Sequence, residues 1–244
     1  MPKLPLEKPF TKNIYGTKAR FWIRKWGDWK RIVGKDFEKE FGKILIKTIS
    51  SMKNPCFWDI GAAQGLYSIL AAKRGANVIA IDPDPESVKS LEENIDLNAD
   101  IKDKIRIIPF ALGGKDNHVT IFFNKVGGRA ASLRKSQKLE SKHSVLMYRT
   151  DTLISTLKIP CPSVIKLDVE GAENNVLRGA ERLLTQDPKP DHIFIEIHPD
   201  FLPDFGSSIQ EVVDVLRKYG YSPVSNQERG NELLCHYEKN DLRK

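Results

Sequence analysis

Phe57-Trp58-Asp59-Ile60-Gly61-Ala62-Ala63-Gln64-Gly65-Leu66-Tyr67, followed by Val78-Ile79-Ala80-Ile81-Asp82, is the stretch on which the fold turns. It reads as a buried strand, a glycine turn, a helix, and a second strand closed by a carboxylate. Glycines at a strand-to-helix turn let a ligand lie against bare backbone with the helix N-terminus facing it. A carboxylate at the end of the next strand, about 20 residues on, is placed to grip the two hydroxyls of a ribose. The pattern therefore predicts a nucleoside-containing ligand.

Working outward, apolar runs and amphipathic segments alternate. Strands are predicted at Cys56–Ile60, Val78–Asp82, Ile105–Phe110, Val164–Asp168 and His192–Ile197. Helices are predicted over Gln64–Arg74, Pro85–Leu97, Ala172–Leu184 and Ser208–Tyr219. A strand over His118–Phe123 and a short helix over Asp151–Leu157 interrupt a polar stretch. Tyr221–Val224 and Glu232–Tyr237 read as closing strands joined at Gly230-Asn231, with one antiparallel edge strand. This is an α/β pattern: a mostly parallel sheet with helices on both faces. The first fifty residues read as an extension packed on the domain of residues 51–244. Within it, 1–19 are expected to be extended or poorly ordered. Arg20–Val33 suggests a hairpin turning at Gly27-Asp28, and a helix starts at Asp36, its cap, with Phe37, Phe41, Leu45 and Ile49 on one face.

The turn Asp59-x-Gly61-x-Ala63-x-Gly65 differs from the Gly-x-Gly-x-x-Gly that a dinucleotide prefers. A carboxylate there repels a pyrophosphate and attracts an α-ammonium group. That favours S-adenosylmethionine over NAD. A second set of charged residues closes later strands: Lys166, Asp168, Glu170 and Glu173, then Glu196 and His198. Ligands of open α/β sheets bind at that edge, and charges are costly to bury without a purpose. Glu173 is also explained by the favourable charge of a helix N-terminus. Lys166 alternates with Leu167 and reads as structural.

The 244 residues carry a net charge of +7, concentrated in residues 1–50, which hold 13 Lys/Arg against 5 Asp/Glu and three of the four tryptophans. Such a surface suits a polyanion. The plainer expectation is that Trp22, Trp26 and Trp29 pack on the core while the lysines meet solvent. No apolar run reaches the roughly 20 residues of a membrane helix, and the start lacks a signal-peptide core. Cys56, Cys161 and Cys235 lack zinc spacing; Cys56 and Cys161, at the starts of predicted strands, read as buried thiols of a cytoplasmic protein.

At these residues the chain resembles the FkbM family of S-adenosylmethionine-dependent methyltransferases, over roughly residues 37 to 237. The resemblance rests on Asp59 to Ser68, Asp82-Pro83-Asp84-Pro85, Ala111-Leu112-Gly113, Gly128 to Leu133, Thr150 to Leu153, Ile165 to Glu173, and Glu196-Ile197-His198-Pro199. The family usually has Asn where Ala63 or Gln64 stands and Glu where Asp82 stands. The resemblance implies a class I, Rossmann-like fold with seven strands, and methyl transfer to oxygen, typically a hydroxyl of a sugar, glycolipid or polyketide-type metabolite. It implies that Asp59, Gly61, Ala62, Ala63, Gly65 and Tyr67 hold the methionine end, that Asp82 and Pro83 hold the ribose, and that Ala111 lies near the adenine. Asp168 would sit beside sulfonium and acceptor, with Arg129, Ser132 and Glu170 on the substrate side.

An aliphatic hydroxyl gains from a general base. Asp168, Glu196 and His198 are the candidates, and His198 has the most suitable ordinary pKa, ~6.5. The same three side chains suit a divalent ion, though no resident metal is expected. The basic stretch 124–144, with Arg129, reads as a lid that grips an anionic acceptor. Two rival functions remain: a ribose-directed RNA methyltransferase using the basic N-terminus, and a non-catalytic nucleoside-binding module. Asp168-Val169-Glu170-Gly171 lacks the Asn/Asp-Pro-Pro-aromatic motif of many RNA base methylases.

Overall fold

The computed structural model describes residues 8–24, 26–34, 38–123 and 141–240. The chain opens with β1 (Pro9–Ile14) and β2 (Thr17–Trp22). A short passage α1 (Trp26–Asp28) continues as a π-helical turn over Trp29–Val33, before α2 (Lys39–Ser51). Strands and helices then alternate: β3 (Cys56–Ile60), α3 (Leu66–Lys73), β4 (Asn77–Ile81), α4 (Pro85–Asp96) and β5 (Ile105–Ile108). After β6 (Ala111–Leu112) come β7 (Asn117–Phe123), β8 (Ser141–Tyr148) and α5 (Thr150–Leu157). The rest is β9 (Val164–Leu167), α6 (Glu173–Gly179), α7 (Glu181–Thr185), β10 (His192–Ile197), α8 (Ile209–Lys218), β11 (Tyr221–Arg229) and β12 (Glu232–Lys239).

The central sheet has the order β11-β12-β10-β9-β3-β4-β5. Only β12 runs against its neighbours; it lies one strand in from the rim, between β10 and β11. Alternate residues of each strand enter opposite cores, as the period of two requires. Phe57, Val78, Val164 and Phe194 pack with α2 and α3 on one face. Trp58, Ile79, Ile165 and Ile195 pack with Leu177, Leu184 and Leu216 of α6, α7 and α8 on the other. Burial on both faces explains the nearly continuous apolar strand sequences. β6, β7 and β8 form a separate three-stranded sheet in the stretch read from sequence as mostly irregular.

Four expectations need correction. The N-terminal hairpin lies at residues 9–22, not 20–33. Tyr15 and Gly16 both take left-handed backbone (φ 49° and 78°), the demand of a tight two-residue turn. Gly27 and Asp28 are instead helical, and Asp28 accepts a 2.9 Å bond from the Arg24 amide. The Pro/Lys-rich composition masked a strand, Thr17–Trp22, whose Thr17, Ala19 and Phe21 are buried. The helix expected over Ala172–Leu184 is split at Ala180 into α6 and α7. Among the thiols, Cys235 is buried, Cys56 half-buried, and Cys161 exposed outside any strand. Asp36 and Phe37 lie outside the described residues; the helix begins at Lys39, with Phe41, Leu45 and Ile49 buried as expected.

The hairpin docks through side chains at the end of α4 and just beyond it. Asn94 accepts from the Trp22 amide at 2.8 Å and donates to the Gln64 carbonyl at 2.9 Å. Asn98 bonds both the amide and the carbonyl of Arg20. Asn94 thus fastens β2 to the glycine turn from a position that is 1% exposed. Asn94→Ala leaves a buried donor and acceptor unpaired and should cost about 2 kcal/mol, read by urea unfolding. No helix among the described residues is long and apolar enough to cross a membrane.

Candidate active site

At the carboxyl ends of β3, β4 and β9 the chain forms two adjoining lobes that share Arg31, Gly61, Ala63, Asp168 and Glu170. The first is mainly apolar, lined by Ile81, Pro83, Phe110, Ala111, Leu112 and Val169, with Asp82 at its edge. The second is strongly charged, holding Glu38, Asp59, Lys166, Glu196, Arg229 and Glu232.

The glycine turn is fixed from both sides. Gly61 donates to the Ile81 carbonyl at 2.9 Å, and the Asp168 amide donates to the Ile60 carbonyl at 3.0 Å. Gly65 lines neither lobe; it abuts Leu91 of α4, so its part is packing. Asp82 accepts from the Ala63 amide at 2.8 Å and from the Asp84 amide at 3.0 Å. Burial pushes its carboxyl up to about 7 against those bonds. Asp84 caps α4.

Asp59 is 1% exposed and its burial raises its pKa. Its Oδ2 accepts from Ser68 at 2.7 Å, while Oδ1 has no partner. Nearby, Nε2 of the buried Gln64 also lacks a partner. Both residues line the charged lobe. An unspent buried acceptor and an unspent buried donor are what an α-amino acid zwitterion would complete. With the adjoining apolar lobe, they fit the amino-acid and adenosyl ends of S-adenosylmethionine.

The residues predicted for chemistry do converge around His198. His198 is 3% exposed and lines neither lobe. Its Nδ1 lies 2.8 Å from Glu173 Oε1. Its Nε2 faces Glu196 at 3.4 Å, Asp168 at 3.8 Å and Glu170 at 4.0 Å. Burial opposes its charge, but bonds to Glu173 and Glu196 and the Asp168 charge hold it up to about 11. The carboxylates around it thus favour the charged form of His198. It organises three carboxylates from behind the wall. Glu173, read as a helix-terminus charge, is fully buried; it also accepts from the Gly171 amide at 2.9 Å and so locks the turn carrying Glu170.

Lys166 is likewise corrected. It faces opposite to Leu167, as alternation requires, but at the sheet's end that face opens into the charged lobe. Its Nζ bonds Asp168 at 3.1 Å and lies 5.2 Å from the centre of the Tyr67 ring. A lysine inside an apolar strand was itself the signal, since a buried charge demands partners. Burial would raise Asp168, but Lys166, His198 and Arg31 hold it down to about 2. Burial and the Asp168 charge push Glu170 and Glu196 up to about 7. Glu38, Arg229 and Arg31 were not foreseen. Tyr67 donates to Glu38 at 2.5 Å, and Arg229 pairs with Glu38, Glu196 and Glu232. No local pattern marks residues that meet from 191 positions apart. Arg129, Ser132 and most of the basic stretch 124–144 lie outside the described residues.

Comparison with known proteins agrees with this geometry. The family model described as the methyltransferase FkbM domain matches residues 59–223. The hexuronic acid methyltransferase AglP of Haloferax volcanii is 25% identical over 193 residues, 79% of this chain and 76% of that protein. A SAM-dependent methyltransferase from Agrobacterium tumefaciens shares the fold. Its TM-score is 0.56 at 11% identity, over 98% of this chain and 72% of that one.

Proposed function

Because this chain belongs to the FkbM methyltransferase family, we propose that it moves the methyl group of S-adenosylmethionine to a hydroxyl oxygen of a sugar or sugar-bearing metabolite. The observation that carries the cofactor reading is the unpaired Asp59 Oδ1 and Gln64 Nε2 at the mouth of the glycine turn. Asp59 takes the ammonium group and Gln64 the carboxylate, Asp82 the ribose, and Phe110 and Ala111 flank the base. Bound there, the cofactor supplies an activated methyl on a good leaving group. The protein's own work is positioning the acceptor and removing its proton. Asp168, ionised and next to Lys166, faces the positive sulfur end. Glu170, at the junction of the lobes, takes the acceptor's proton.

The sugar acceptor is supported by AglP, whose name assigns it a hexuronic acid substrate. Asp59→Asn removes the charge facing the ammonium and should weaken S-adenosylhomocysteine binding about tenfold by calorimetry, or roughly 1.4 kcal/mol. Undiminished affinity would place the amino-acid end elsewhere. For the acceptor, label from methyl-tritiated S-adenosylmethionine should enter sugar and glycan fractions of a cell extract and resist mild alkali, as an ether does. Label confined to RNA, or released by alkali as from an ester, rules the hydroxyl-sugar reading out.

A further inference from the structure

We propose that the segment Trp26–Val33, which precedes the region matched by the family model, is the acceptor-recognition element and selects an anionic sugar. Arg31 pairs with the acceptor's carboxylate, and Trp26 and Trp29 receive a neighbouring sugar ring. This rests on the sugar-methylation reading above.

Arg31 is half-buried and lines both lobes, where the cofactor's reactive end and the acceptor would meet. Of the other cations of the site, Lys30 is exposed to solvent, and the buried ones are already paired. Lys166 is paired with Asp168. Arg229 pairs with three carboxylates. His198 is bonded to Glu173. Arg31 has no hydrogen bond or ion pair within the described residues, although its charge is felt by Asp168 and Glu170. A guanidinium partly withdrawn from water gains most when a planar carboxylate arrives to be held by two parallel bonds. The cofactor does not fill that need: Gln64 answers its carboxylate, and its sulfur is positive. An anion between guanidinium and sulfonium satisfies both.

The same segment carries two of the few exposed large apolar side chains among the described residues. Trp26 and Trp29 are 38% and 37% exposed, with ring centres 5.5 Å apart at 69°. Trp22, by contrast, is held by the Asn94 bond to its amide and lies under Arg24, and Trp58 is fully buried. Trp26 and Trp29 line neither lobe, but they stand on the same segment as Lys30 and Arg31, which do, and exposed aromatic faces suit the apolar C–H face of a sugar. A polyphosphate is the wrong occupant. Beyond Lys30 and Arg31 the charged lobe presents Glu38, Asp59, Glu170, Glu196 and Glu232, which repel a continuous anionic backbone.

The test uses the full chain with a glucuronate-terminated disaccharide, the matching glucose-terminated one, and tRNA. Wild type should methylate the uronide with kcat/KM at least tenfold above the neutral sugar. Arg31→Gln should raise KM for the uronide at least tenfold more than KM for the neutral sugar and so erase the preference, while S-adenosylhomocysteine affinity stays within twofold. Arg31→Lys, which keeps the charge, should recover part of the preference. Trp29→Ala should raise KM for the disaccharide but not for glucuronate alone. Equal use of both sugars by wild type, or an equal loss on both in Arg31→Gln, overturns the assignment while leaving sugar methylation standing. Transfer to tRNA and to neither sugar overturns sugar methylation itself.

Discussion

Glu170→Gln is expected to lower kcat at least 100-fold while leaving S-adenosylhomocysteine affinity within twofold. General-base catalysis contributes about 10² to 10⁴ in rate, most where the base titrates near the working pH. Of Asp168, Glu170, Glu196 and His198, three are unsuited. Asp168, held down to about 2, is a weak base. His198 stays protonated. Glu196 is 2% exposed and bound between Arg229 and His198. Glu170 remains: burial and the Asp168 charge raise it to about 7, against the pull of His198 and Arg31, with Glu232 adding to the rise. Its side chain is 20% exposed and lines both lobes. Its backbone lies at φ 53°, a conformation that costs a β-carbon residue about 1–3 kcal/mol and is retained at functional turns. Since the base works deprotonated, wild-type kcat should rise with pH through about 7 and level off above it. In Glu170→Gln that rise should vanish. A rate near wild type, or an unchanged rise, removes Glu170 from proton transfer.

Gly61→Ala should cost more than about 3 kcal/mol of stability in urea and abolish cofactor binding. Gly61 sits at φ 81°, where a Cβ costs roughly 1–2 kcal/mol by itself. That Cβ would also lie 1.7 Å from the Asp168 carbonyl oxygen, which is backbone. Neither side can yield, because the bonds from Gly61 to Ile81 and from Asp168 to Ile60 bind the turn and the end of β9 to the sheet. Opening the contact moves Asp59, Asp168 and Glu170 together. Gly75→Ala separates the two effects: φ is 96°, but a Cβ there meets nothing within 4 Å. It should cost only about 1 kcal/mol and bind S-adenosylhomocysteine normally. Comparable losses in both variants would show that backbone conformation, not the closeness of β3 and β9, governs the site.

Much of the architecture was legible because its causes are local. Val78–Ile81 and Ile193–Ile195 are apolar without interruption, which marks central strands. Asp59 and Asp82 close strands beside a glycine turn, which marks the ligand edge. The N-terminal hairpin was misplaced because lysine and proline hid its alternation, and because its β2 edge is satisfied by Asn94 of α4 and Asn98 just after it, more than 70 residues away. Lys166 was dismissed because alternation tells which way a side chain points, not whether that side is closed.

The amino-acid sequence alone determined the parallel sheet, the glycine turn and the row of carboxylates at strand ends, since apolar periodicity and backbone freedom act between near neighbours. Only the tertiary structure decided which of those groups hold a proton. His198 is held toward its charged form because Glu173, Glu196 and Asp168 surround it out of water, and Glu170 is raised because it is buried with Asp168 beside it. Charges interact through space and strengthen as solvent is excluded, so their balance exists only once Glu38, Arg229 and Arg31 have been folded onto the same few ångströms.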